Sequence, residues 1–131
     1  MDIAVSYPPN IEDIKRQFDI EGKPVVFTYG NILHNPQNAT ISADLAVHEG
    51  VHTKQQGDNP ESWWVKYLAD RDFRLLQEVE AYRAQYEYVK ATVKDKNYRA
   101  RFLHVIASDL SGQIYGHMVS YGEAVRLIKQ L

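Results

Sequence analysis

Residues 48–52 read His48-Glu49-Gly50-Val51-His52, the pattern HExxH. On an α-helix, residues four apart share a face, with Cβ atoms roughly 5–6 Å apart. Two imidazoles so placed reach one tetrahedral ion at about 2.0–2.1 Å. Glu49 is turned about 100° from His48. It stands beside such an ion without ligating it, where it can take a proton from water. The pattern arises by chance roughly once in a hundred chains of this composition, so its surroundings have to decide.

A catalytic site of this kind needs three protein ligands and one open position. The chain has no cysteine. That excludes disulfides, Cys-based zinc sites and thiol catalysis, and leaves His or a carboxylate as the third ligand. The stretch Gln77-Glu78-Val79-Glu80-Ala81-Tyr82 offers two carboxylates. Residues two apart on a helix face different ways, so Glu78 and Glu80 cannot both serve. Leu75, Val79, Tyr82 and Tyr86 recur as an apolar stripe, and Glu78 borders it more closely than Glu80.

Further residues are candidates by type. Asp44, one turn before His48, can accept from that imidazole or act as a helix N-terminal acid. Tyr82, Tyr86, His104 and His117 are the available oxyanion stabilisers. Trp63, Trp64 and Tyr67 are expected in the core, with a substrate platform as the sharper alternative. His34, beside Asn35-Pro36, is either a loop histidine or a substrate contact. Ser108-Asp109-Leu110-Ser111-Gly112 has no strand-turn-helix context for a serine nucleophile. Residues 90–101 mix basic residues with Asp95 and are read as a solvated helix end and loop.

The elements that must position these groups follow from periodicity. Ile11, Ile14 and Phe18 predict a short helix over 11–18. Residues 24–29, PVVFTY, are β-branched and aromatic and predict a strand. Gly30-Asn31 is turn material, and Ile32–His34 is a second short strand. Ala39–Ile41 adds extended chain. Ser42 or Asp44 caps a helix running to Gln56, and Gly57 stops it. Asn59-Pro60-Glu61 starts another helix. Helical pattern continues to about Lys94 with a break near Asp70–Asp72. A loop at Asp95–Asn97, a helix over 98–110 and a last helix over 119–131 complete the chain.

The whole is expected to be mainly α (α+β), one domain over residues 1–131. Of the 131 residues, 44% are hydrophobic and 24% charged, as in folded globular chains. The formal charge is −2 and the basic residues are scattered, which argues against nucleic acid as a partner. Neither a signal-peptide pattern nor an apolar run of about 20 residues is present, so no membrane partner is expected and the location is read as cytoplasmic.

His48-Glu49-x-x-His52 followed by Glu78-Val79-Glu80-Ala81 resembles the zincin metallopeptidases of the gluzincin kind. There a Glu on a later helix completes an HExxH helix. The stretch His52-Thr53-Lys54-Gln55-Gln56 is similar to an HExxHxxQQ pattern of small zincins. The wider sequence resembles compact zincin-like proteins of bacteria and phages. The likeness spans about residues 29–82. It implies a compact zincin-like domain with His48, His52 and Glu78 as ligands and Ala81 as a small packing residue. Tyr82 stands where some families carry Asp. In zincins an edge strand above the motif helix binds an extended substrate, so the resemblance makes Val26–Tyr29 or Ile32–His34 the candidate strand, with a strand that only covers the core as the alternative. His₂Glu is a common catalytic zinc set, so one Zn²⁺ per chain is expected. The implied activity is hydrolysis of a peptide or protein substrate, with Glu49 as general base. The competing expectation is a binding or regulatory protein on a metal-binding zincin scaffold that does not cleave.

Overall fold

The computed structural model describes residues 1–130. Strand β1 spans Asp2–Ala4, helix α1 Ile11–Gln17, strand β2 Phe27–Tyr29 and strand β3 Ile32–His34. Five helical segments follow: α2 (Ala43–Gln56), α3 (Pro60–Ala69), α4 (Arg71–Thr92), α5 (Lys96–Leu110) and, after a 3₁₀ turn at Gln113–Tyr115, α6 (Tyr121–Lys129). The mainly α expectation with a small β element ahead of the HExxH helix is what the chain adopts. No helix among the described residues is long and apolar enough to cross a membrane.

Local chemistry accounts for most boundaries. The Ser42 side chain accepts from the Leu45 N–H and starts α2, and Gly57 ends it at φ 58°. The Asn59 side chain accepts from the Ser62 N–H, with Pro60 as the first helical residue of α3. Asp70 is extended; it ends α3, and its side chain accepts from the Phe73 N–H to begin α4. That is the break the sequence places at 70–72. Asp95 caps α5 directly, so the helix begins at Lys96 instead of Tyr98. A capping box between Ser120 and Glu123 starts α6. The C-terminal end of that expected helix, Leu131, lies outside the described residues.

The sheet has the order β1-β3-β2, with β1 parallel and β2 antiparallel to β3. Gly30, at φ 64°, supplies the positive φ that the two-residue hairpin turn needs. Three strand expectations change. β1 is an addition: three residues with no alternation of their own are recruited by pairing with β3. The 24–29 strand shortens to Phe27–Tyr29, because β3 supplies partners for only these three. Ala39–Ile41 joins no strand.

The core has two parts. Val79, Tyr82 and Tyr86 of α4 pack with Ile106, Ala107 and Leu110 of α5 and with Ala124 and Ile128 of α6. The second part joins Ile14, Ile20 and Phe27 to Trp63, Trp64 and Tyr67. Helix α2 packs along α4 and also touches β2 and α3. All four buried residues of α2 are polar: His48, Glu49, His52 and Gln56. A helix normally turns its apolar stripe inward. Burying four polar side chains is costly unless each is hydrogen-bonded. The inner face of α2 is therefore held by hydrogen bonds at His48, Glu49, His52 and Gln56 and not by an apolar stripe.

Candidate metal centre

The HExxH spacing does on α2 what helix geometry requires. His48 and His52 point the same way, with ring centroids 4.9 Å apart. Glu78 rises from α4 to meet them. Its Oε1 lies 3.1 Å from Nε2 of His48 and 3.2 Å from Nε2 of His52. Ligand atoms of a tetrahedral zinc site stand about 3.3 Å apart, given bonds of about 2.05 Å. His48 and Glu78 are each 3% exposed and His52 is 5% exposed. These three groups can hold a metal ion. Glu80 does not join them. It faces outward and accepts from Gln55.

The tautomers follow from the surrounding amides. Nδ1 of His48 is 2.9 Å from Oε1 of Gln85, and Nδ1 of His52 is 2.8 Å from Oε1 of Gln55. Both amide groups have a fixed orientation. The Gln85 nitrogen donates to Asp44, and the Gln55 nitrogen donates to Glu80 and to the Gln77 carbonyl. Each glutamine therefore presents an acceptor, and each imidazole donates through Nδ1. That leaves both Nε2 lone pairs directed at a carboxylate oxygen. Three acceptors at this separation repel unless a proton or a cation is shared among them. The donor set thus fits a divalent ion.

Electrostatics agree with that reading. Burial opposes charge on His52, but the Glu78 carboxylate and its hydrogen bond outweigh burial and raise the imidazole to about 9. Burial likewise opposes charge on Glu78, yet His52 and His48 hold it well below the usual carboxylate range. The Tyr67 hydroxyl donates to Glu78 Oε2 at 2.6 Å and leaves Oε1 to the histidines. Burial, then the charge of Glu78, pushes Tyr67, Tyr82 and Tyr115 well above the ordinary tyrosine range. All three keep their hydroxyl protons at neutral pH.

Glu49 is buried beside the triad, and the Thr28 hydroxyl donates to its Oε2 at 2.7 Å. Strand β2 delivers Thr28, and α2 anchors β2 in turn. Gln56 Nε2 and Trp64 Nε1 both donate to the Thr28 carbonyl, at 2.8 and 3.0 Å. Gln56 Oε1 accepts from the Gly30 N–H. These bonds revise the substrate-strand expectation. β3 lies between β1 and β2, so Ile32–His34 has no free edge. The Thr28 carbonyl of β2 is already taken twice. Within residues 24–29, Pro24, Val25 and Val26, all ahead of β2, border the open groove of about 550 Å³ that runs past His48 and Glu49 to α5.

Other candidates fall into place individually. Asp44 does not touch His48; Gln85 stands between them and carries the contact. His34 is buried on β3 against Ser6 and is neither a loop histidine nor a site residue. His104 bonds to the Tyr121 hydroxyl, and His117 to the Ser111 carbonyl, both on the surface. Tyr86 belongs to the α4–α5–α6 core. Tyr82 lies against His48, with ring centroids 4.4 Å apart, and its hydroxyl is 2.8 Å from that of Tyr115. Tyr115, Gln85, Gln55 and Thr28 are site residues that sequence reasoning did not assign. Gln55 had a signal in the QQ pair; Tyr115 sits on a short turn that carries none.

Comparison with protein-family models, with curated proteins and with solved structures finds no match to this chain.

Proposed function

We propose that the chain is a zinc-dependent metallopeptidase, in which His48, His52 and Glu78 hold one zinc ion and Glu49 is the general base. The observation that supports this most is the convergence of two Nε2 atoms and one carboxylate oxygen beside a fourth, non-ligating carboxylate. A bound zinc ion supplies Lewis acidity, lowering the pKa of its water from 15.7 to about 7 and polarising a carbonyl.

The protein groups then divide the work. Thr28 holds one oxygen of Glu49. The other oxygen takes the proton of the attacking water and returns it to the leaving amine. Tyr115 borders the groove beside His48 and Glu49, and its protonated hydroxyl is the oxyanion donor in this reading, with Tyr82 hydrogen-bonded to it. The groove is open and suits an extended peptide or an unfolded segment of a protein.

Metal analysis of the purified protein, with His48→Ala and Glu78→Ala alongside, tests the site. About one zinc per chain, lost in both variants, is expected. Hydrolysis of an unfolded protein substrate, abolished by chelator and restored by zinc, is the expected activity. A protein that takes up no zinc when it is supplied would end this reading.

A further inference from the structure

The C-terminal half of α4 and the start of α5 concentrate positive charge. Residues 83–101 hold six basic side chains and two acidic ones, in a chain whose formal charge is −2. The fold gathers part of this excess around an open pocket of about 260 Å³. Lys90 comes from the last turn of α4, Lys96 and Arg99 from the first turns of α5, and Lys129 from the end of α6. Tyr86 and Leu103 supply apolar wall between them. The pocket shares no residue with the groove past His48 and Glu49. At 1.5 Å per residue, Lys90 lies roughly 18 Å along α4 from Glu78.

Three of the four cations lack a counter-charge. The Lys90 ammonium is 3.0 Å from Oε1 of Glu87 and 5.0 Å from the centre of the Tyr86 ring. Among the described residues, Lys96, Arg99 and Lys129 form no ion pair. Helix stability accounts for Lys90 and Lys129, which stand at the negative ends of their helices. It does not account for Lys96 and Arg99. They stand at the positive end of α5, whose first turn has no acidic residue, and cations are disfavoured there. Asp95 is occupied as the cap, accepting from the N–H groups of Asn97 and Tyr98. Cations set around one concavity repel each other and focus a positive field into it.

The charge and shape of that field select the ligand. A phosphate monoester carries about −1.5 to −2 at neutral pH, less than three unpaired cations balance. Two or three linked phosphates match them. The Arg99 guanidinium offers a planar fork to two phosphate oxygens, and the lysines offer point charges. A concave site with apolar wall suits a compact anion better than a flat surface or a long polymer.

We propose that this pocket binds the di- or triphosphate group of a small molecule, held by Lys96, Arg99 and Lys129 with Lys90 at its edge. The site is independent of the metallopeptidase reading, since none of its residues belongs to the metal centre.

Inorganic tripolyphosphate is the probe, titrated into the ¹⁵N-labelled full chain with and without supplied zinc. The amides of residues 96–100 and the Arg99 Nε–H report the pocket. The Trp63 indole, beside His52, reports any removal of metal by the probe. Saturable shifts at the pocket are expected, alike in both preparations, with affinity at least about tenfold above that for orthophosphate. Arg99→Gln and Lys129→Gln should each weaken binding by about tenfold. Lys94→Gln, in the same basic stretch but outside the pocket wall, should weaken it by less than about threefold. Absence of saturable shifts overturns the proposal. So does equal affinity for the two phosphates, or an equal loss in Lys94→Gln and Lys129→Gln, either of which shows diffuse attraction. Tighter binding to anionic phospholipid vesicles or to single-stranded DNA than to tripolyphosphate also overturns it, and would make this face a membrane or nucleic-acid surface.

Discussion

Gln85 Oε1 accepts from Nδ1 of His48 at 2.9 Å, and the Gln85 amide is itself fixed by Asp44. Gln55 stands in the same relation to His52, with Glu80 behind it. Both histidines are thus oriented by neutral amides, each backed by a carboxylate. A carboxylate in direct contact would add negative charge to a site that already holds Glu49 and Glu78. The amides fix the ring and the tautomer without that charge.

Removing one of these supports should weaken the metal more than the fold. Gln85→Leu is expected to lower zinc affinity by roughly 10–100-fold, the usual cost of losing an outer hydrogen bond to a ligating histidine. Gln85→Glu retains an acceptor but loses the donor to Asp44 and faces that carboxylate, so it should recover only part of it. Competition against a chromophoric chelator measures both. Equal affinity in the leucine variant and the wild type would show that Gln85 does not orient His48.

Glu49→Gln separates chemistry from metal binding. The variant should keep one zinc per chain, because Glu49 is not among the three converging ligands. It should lose turnover by roughly 10²–10⁴-fold, the range for a positioned acid–base group. Paired zinc analysis and rate measurement check this, and undiminished turnover would remove Glu49 as the base.

Zinc affinity should depend on pH through His52. Its folded value, about 9, lies above the ordinary 6.5. A raised histidine contributes stability that is complete below 6.5 and disappears as pH rises through about 9. Glu78 is depressed, so its contribution is present above its ordinary 4.5 and is lost as pH falls through its lower folded value. The metal-free protein should therefore be most stable between about 4.5 and 6.5 and should weaken between 6.5 and 9. Zinc must displace the His52 proton, so its affinity should rise about tenfold per pH unit up to about 9 and then level off. Calorimetry in two buffers of different ionisation enthalpy counts the released proton.

Tyr67→Phe tests the anchor of the third ligand. The hydroxyl donates to a buried carboxylate at 2.6 Å. Hydrogen bonds to charged groups contribute about 1.5–3 kcal/mol, and the variant should lose about that much stability in denaturant unfolding. Its zinc affinity should also fall, since Glu78 Oε2 is freed to rotate toward the ion. Unchanged stability and affinity together would show that Tyr67 does not anchor Glu78.

Helical spacing made part of this site readable before any coordinates. His48, Glu49 and His52 lie on one turn, so their mutual placement depends only on α2 forming, and Ser42 and Gly57 mark its ends. The resemblance to gluzincins pointed to Glu78 rather than Glu80, and the apolar stripe, which shows which way α4 faces, gave that choice slight support. Trp63, Trp64 and Tyr67 proved to be core residues, as their size and apolar character suggest. Gln85, Thr28 and Tyr115 were not readable. Their roles depend on distances between elements that no local periodicity encodes.

The sequence by itself determined the local objects: the helices with their caps, the metal-type turn, the absence of thiol chemistry and the face of α4 that turns inward. Those properties depend on residues a few positions apart, whose geometry the backbone dictates. Only the tertiary structure decided what surrounds them. It inserted Gln85 between Asp44 and His48, closed both edges of β3 and set β2 so that Thr28 meets Glu49. It also brought apolar side chains of α1 and α3 together beside the triad. Each of these is a contact across a long stretch of chain, fixed by how whole elements pack and not by the spacing within any one of them.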